Sequence, residues 1–180
     1  MWLLATAVVV VGVIAILNLI LTLGVIRRLR EHSDLLATPG RDDPMRPMVD
    51  LGQRPGEFTA TTVNGETITR DSFTGATLAA FLSPYCDVCE AQIPGLLDRA
   101  AAMPGGSANV LVVVIGRGDE AQAYGDRFRA VARVVVEPAN GPVGRAFELG
   151  GMPTFGLLDP DGRVAASTIS IERLDLPVAS

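Results

Sequence analysis

The chain has 180 residues, a formal net charge of −5 and 48% hydrophobic residues, which suits one domain plus an appendage. All fifteen basic residues are Arg, and the eleven Arg and sixteen acids of residues 45–180 carry the whole −5, against four of each in residues 1–44. An acidic domain argues against nucleic acid as a partner. Two cysteines and one histidine exclude a disulfide-rich scaffold and leave a Cys/His zinc site short of its four ligands.

Residues 1–26 contain no charge and are dominated by Val, Leu, Ile and Ala. At 1.5 Å per residue such a run crosses a bilayer core of about 30 Å with some tilt, so it reads as a single transmembrane anchor helix. Trp2 suits one interface, and Arg27, Arg28 and Arg30 mark the other end. A cleaved signal peptide is the rival reading. It requires a positive n-region and a small-residue cleavage site, whereas here no Lys or Arg precedes the run and Gly24-Val25-Ile26-Arg27 is a poor site. By the positive-inside rule the Arg cluster would hold the rest of the chain in the cytoplasm. Residues 27–50 read as a juxtamembrane basic segment and flexible linker. Breakers such as Pro39, Gly40, Pro44 and Pro47 start at Ser33 and run on to Pro55, and residues 51–180 read as the folded domain.

The domain alternates. Phe58 to Val63, Asn64-Gly65 and Glu66 to Ile68 predict a hairpin with a type I′ turn. Thr77 to Leu82 is a short apolar strand, and residues 87–102 predict a helix with Val88, Ile93, Leu96, Leu97, Ala100 and Ala101 roughly on one face and Pro94 as a kink. The run Val110 to Ile115 is continuous apolar, as in a strand buried on both faces. A helix over Asp119 to Val131 with Tyr124, Phe128 and Val131 inward, a strand at Val134 to Val136, and a short helix from Pro142 to Leu149 follow. A second hairpin, Thr154 to Leu158 and Arg163 to Ser167 about Asp159-Pro160-Asp161-Gly162, closes the pattern. This order implies an α/β fold, a mixed sheet flanked by helices.

The two cysteines stand as Cys86-x-x-Cys89, where the short apolar strand gives way to the helix. Free N–H groups and the positive dipole end at a helix N-terminus favour the thiolate, the reactive form. A second thiol three residues further on can attack a mixed disulfide formed on the first. A zinc half-site lacks its other ligands, since His32 lies far off beside the apolar N-terminus. A purely structural disulfide would close a loop too small to constrain the unfolded chain much. The pair therefore points to reversible dithiol–disulfide exchange.

Together these residues resemble the thioredoxin fold, and more narrowly the membrane-tethered thioredoxin-like proteins of bacteria of the TlpA/MauD type. Cys86-x-x-Cys89 matches the active-site signature, Pro94 the kink proline of the first active-site helix, and Gly151-Met152-Pro153-Thr154-Phe155 the cis-proline loop. The match covers residues 51 to about 170. The resemblance implies Cys86 as attacking nucleophile, Cys89 as resolving thiol, and Pro153 in cis facing the sulfurs. It implies that Tyr85, Met152 and Thr154 border an extended substrate strand; Tyr85 stands where the family often has Trp. It further implies no cofactor, cysteine-containing client proteins, an upstream thiol electron donor, and an extracytoplasmic domain on a membrane tether, against the Arg cluster. A role in protein or cytochrome maturation, as a reductase, follows from it; a non-catalytic accessory factor for one maturing enzyme is the alternative.

Three departures stand out. The family's buried acid six residues before the first cysteine is Ala80 here. Asp87 and Glu90 add negative charge near the sulfurs and predict a poorly stabilised thiolate and a reducing couple. Ile171 to Ser180 is too short for the family's final helix, so one sheet face is expected to be thinly covered. A peroxiredoxin-like reading is weaker, because Ser83 fits that family three residues before the cysteine but Ala79 stands where its proline belongs.

Overall fold

The computed structural model describes Trp2, Gly12, residues 46–73 and residues 75–175. The chain divides into two compact units, Met1–Asp42 and Asp43–Ser180. In the first, Trp2 and Gly12 are helical. The anchor expected over residues 1–26 otherwise lies outside the described residues, as do Arg27, Arg28, Arg30 and His32. Among the described residues no helix is long and apolar enough to cross a membrane.

The second unit is built on a five-stranded sheet. Its strands are β3 (Thr77–Leu82), β4 (Val110–Ile115), β5 (Arg133–Glu137), β6 (Thr154–Leu158) and β7 (Val164–Thr168), in the order β5-β4-β3-β6-β7. Strands β3, β4 and β5 run parallel, while β6 and β7 pair antiparallel. All six residues of β3 and all six of β4 are buried, which is why both read as unbroken apolar runs rather than alternating ones. The register sets Ala80 between Val112 of β4 and Phe155 of β6.

Side-chain alternation splits the core into two layers. Leu78, Ala80 and Leu82 face α1 (Asp87–Ala101) and α2 (Gly118–Asp126), packing with Cys89, Ile93, Leu96, Tyr124 and Phe128. Ala79 and Phe81 face the other way, toward a two-stranded hairpin of β1 (Thr59–Thr61) and β2 (Thr67–Thr69) and toward α3 (Pro142–Ala146). Phe147, just beyond α3, ties that second layer together, with its ring 5.0 Å from Phe81 and 6.1 Å from Phe58.

Several expectations shift. In the hairpin the Gly65 N–H closes a turn on the Thr62 carbonyl at 2.9 Å, and only Gly65 is left-handed, at φ 82°. A type I′ turn needs both central residues left-handed, so the Asn-Gly pair does not form one here. Helix α2 stops at Asp126; beyond it the Val131 and Ala132 N–H groups share the Phe128 carbonyl, which draws Phe128 into the core and leaves Val131 half-buried. Helix α3 stops at Ala146, since Glu148 turns left-handed at φ 49°. The face expected to be thin is closed by a single 3-10 turn, Ile171–Arg173. Ile171 and Leu174 are each 1% exposed, and Gly95 of α1 leaves the room that Ile171 fills.

The stretch read as linker also changes character near its end. Met48 and Val49 are buried, and Met48 lies over Gly156 of β6, where a Cβ would come within 2.6 Å of it. The folded unit therefore starts before residue 51. Met48→Ala is expected to destabilise it by about 2–5 kcal/mol, the cost of truncating a buried Met. Urea unfolding of fragments starting at residues 45 and 51 should show the same order of loss for the shorter one.

Candidate active site

Strand β3 ends at Leu82, and Ser83-Pro84-Tyr85 carries the chain into α1. The buried Ser83 hydroxyl accepts from the Tyr85 N–H at 3.3 Å and shapes this turn. The Pro84 ring packs on Gly116 of the loop after β4, where a Cβ would also meet Ala121 at 2.8 Å. Two loops at the C-terminal ends of parallel strands thus lie against each other, and Cys86 emerges beside them.

Cys86 is the N-cap of α1, with extended backbone at φ −130° and ψ 103°. Its sulfur accepts from the Cys89 N–H at 3.2 Å, and its carbonyl accepts from the N–H groups of Cys89 and Glu90. Cysteine here takes the place that Ser, Asp or Asn usually holds, so its sulfur satisfies one of the orphan donors of the first turn. Cys86 and Cys89 are joined as a disulfide, with Cα atoms 5.2 Å apart. The two sulfurs are not equivalent: Cys86 is half-buried, whereas Cys89 is 0% exposed under the α1 layer. Pro94 lies within α1 and, lacking an N–H, leaves the Glu90 carbonyl without its helical donor.

The third element of the site is the loop before β6. Its Met152–Pro153 peptide is cis, and the Met152 carbonyl oxygen lies 3.9 Å from the Cys86 sulfur. Met152 is 38% exposed and Pro153 is buried. This loop is held from behind by the first residues of the folded unit: the Pro47 carbonyl accepts from the Gly150 N–H at 2.9 Å, and the Val49 N–H donates to the Phe147 carbonyl. Tyr85 is 65% exposed, and its hydroxyl donates to the Arg117 carbonyl at 3.5 Å. Tyr85, Ile115, Gly116, Arg117 and Met152 line an open groove beside the turn that leads into Cys86.

Of the residues expected at the site, Tyr85, Cys86, Cys89, Met152 and Pro153 converge. Thr154 does not present its side chain there. It is 1% exposed, and its hydroxyl donates to the Gly151 carbonyl at 2.8 Å, so it holds the loop shut rather than bordering the groove. Glu90 also departs from expectation, because it is not an uncompensated charge. Arg127 donates two parallel hydrogen bonds to its carboxylate, each 2.8 Å, and holds that carboxyl below the ordinary carboxylate range. Ala80 is fully buried in the layer that holds Cys89, so no carboxyl stands at that position.

One buried carboxylate escaped the sequence reading. Glu137, at the end of β5, accepts from the N–H groups of Val143 at 3.0 Å and Gly144 at 2.7 Å. It belongs to the sheet face away from Cys89 and anchors the start of α3, while its own carbonyl accepts from Gly116 beside the groove. The available signal was an acid closing an apolar strand, followed by two glycines; a Cβ on Gly141 would run into the carboxylate.

No protein-family model and no curated protein sequence matches the chain. Solved structures do. The thioredoxin domain of a thiol-disulfide oxidoreductase from Bacteroides vulgatus superposes with a TM-score of 0.56 at 18% identity, over 68% of this chain and 90% of that one. A thiol:disulfide interchange protein from a Bacteroides species gives a TM-score of 0.53 at 19% identity, over 66% and 81%. The chain has a thioredoxin-like fold. Within that fold, the turn after β3, the N-terminus of α1 and the loop before β6 meet at one place.

Burial pushes the Glu137 carboxyl up, and the two N–H groups and Arg145 only partly offset that. A carboxyl raised by folding binds its proton more tightly in the native protein, so its contribution to stability is greatest below about pH 4.3, the unfolded value, and declines as pH rises through the folded one. Glu137→Gln should remove that decline from a plot of unfolding free energy against pH. An unchanged slope would place the carboxyl at its ordinary acidity.

Proposed function

We propose that this chain is a membrane-anchored thiol–disulfide oxidoreductase that exchanges disulfides with cysteine-containing client proteins through Cys86 and Cys89. The observation that carries the reading is the asymmetry of the pair: a half-buried Cys86 whose sulfur accepts from the Cys89 N–H in the first turn of α1, and a wholly buried Cys89. The chemistry follows from that placement. In the reduced protein the Cys86 thiolate attacks one sulfur of a client disulfide, forming a mixed disulfide and releasing the first client thiolate, which takes up a proton. Cys89 then loses its proton and attacks the Cys86 sulfur, expelling the second client thiol. The client has gained two electrons and two protons, and the Cys86–Cys89 disulfide results. An upstream dithiol must return two electrons for the next cycle.

The reading favours net reduction of clients, in the maturation of proteins or cytochromes. The apolar run of residues 1–26 supports a single-pass anchor, and an oxidising exterior is where such a cycle has most use, so the domain is assigned to the extracytoplasmic side. Arg27, Arg28 and Arg30 favour the opposite orientation. The alternative, an accessory factor without exchange activity, draws its support from Ala80, since no buried carboxyl stands at that position to take the Cys89 proton.

Two variants separate these readings. Cys86→Ser should abolish dithiothreitol-driven reduction of insulin, and Cys89→Ser should accumulate mixed disulfides whose partners identify the clients. A Cys86→Ser chain that still supports maturation of a client in cells would favour the accessory role. For topology, a membrane-impermeant maleimide should label reduced Cys86 in intact cells; protection until lysis would put the domain in the cytoplasm.

A further inference from the structure

We propose that Arg127 is a positioning residue of the redox site: by clamping Glu90 it cancels a negative charge one helical turn from Cys86, and so sets the acidity of the Cys86 thiol. The inference rests on the reading of Cys86 as the attacking thiol.

Glu90 lies in the first turn of α1, four residues after the N-cap Cys86, and its N–H donates to the Cys86 carbonyl at 3.2 Å, so both groups sit at the same end of the helix. Arg127, just after α2, meets the Glu90 carboxylate with both ends of its fork, Nη1 to Oε2 and Nη2 to Oε1, each 2.8 Å. A bidentate pair is fixed in direction as well as distance. Its guanidinium also lies over the Tyr124 ring, 5.4 Å from the centroid. Arg127 is thus held on two sides, and α2 delivers a cation to the first turn of α1.

The other charged and titratable groups around this turn do not duplicate the effect. Asp87, the first residue of α1, adds a negative charge of its own. Tyr124 is pushed up to about 12 by burial and stays neutral. Arg117 meets the site through its backbone carbonyl, which accepts from Tyr85, and its side chain is exposed. Without Arg127, Asp87 and Glu90 would together oppose the positive end of the α1 dipole. With it, Asp87 alone does. Across about one helical turn, and with the screening of an exposed site, one uncompensated charge should move the Cys86 thiol by about half a pH unit, or roughly threefold in the thiolate-to-thiol ratio.

The test is the pH dependence of iodoacetamide alkylation of the reduced full-length protein at low salt, in wild type, Arg127→Gln, Glu90→Gln, the double variant and Arg127→Lys. The proposal expects the midpoint to rise by about half a unit in Arg127→Gln, to fall by a similar amount in Glu90→Gln, and to return to the wild-type value in the double variant. Arg127→Lys, which keeps the charge and loses the fork, should stay near wild type. A wild-type midpoint in Arg127→Gln would overturn the proposal. So would a double variant that keeps the full Arg127→Gln shift, or a lysine variant that shows it, since charge would then not be the cause. Insulin reduction by the same proteins separates the two layers of inference. The expected midpoints with no exchange activity in any of them would leave the Arg127 role standing and remove the oxidoreductase reading.

Discussion

Strand β3 ends where α1 begins, and the burial of that strand on both faces governs the rest of the domain. With helices packed on one side and the hairpin and α3 on the other, the chain leaves β3 at a fixed point and in a fixed direction. Four residues later Cys86 caps α1, where the Cys89 N–H of the first turn donates to its sulfur. The neighbouring parallel strand places Gly116 against Pro84, and the antiparallel neighbour β6 brings the Met152–Pro153 loop over the sulfur from the other side. The site is therefore a property of the sheet order β4-β3-β6. No single loop makes it. The two cysteines differ because helical spacing turns Cys89 into the layer beneath α1 while half-buried Cys86 stays at its tip.

Much of this was legible in the chain. Strands buried on both faces announce themselves as unbroken apolar runs, and Thr77 to Leu82 and Val110 to Ile115 have the limits expected of them. The junction of strand, Cys86-x-x-Cys89 and helix was equally clear, because apolar periodicity changes there. What escaped was set by tertiary contact. Met48 and Val49 lie in a stretch rich in Pro and charge, and only the gap above Gly156 explains why they are core residues. Thr154 sits beside the candidate cis-proline, yet strand pairing with Phe81 and its bond to the Gly151 carbonyl turn it inward. The Asn64-Gly65 turn took a different form, with a single left-handed residue. Glu137 gave little local warning, since its partners are N–H groups six and seven residues away.

Charge was the least readable property. A count along α1 finds Asp87 and Glu90 beside the cysteines and suggests a thiolate under pressure. The fold brings Arg127, thirty-seven residues from Glu90, onto that carboxylate. Glu90 then no longer weighs against the helix dipole, and the case for an unusually reducing couple loses half of its basis. The segment from Arg46 to Val49 has a comparable long-range part, bonding to Phe147 and Gly150 and so bracing the loop that faces the sulfur.

The central claim is that Cys86–Cys89 is an exchangeable couple and not a fixed brace. Its reduction potential in the full-length protein, measured against glutathione and dithiothreitol series, tests that most directly. The account predicts a value between about −180 and −270 mV, the span from isomerases to thioredoxin, at which cellular thiols and client disulfides can both engage it. A value below about −300 mV, where structural disulfides lie, would contradict it.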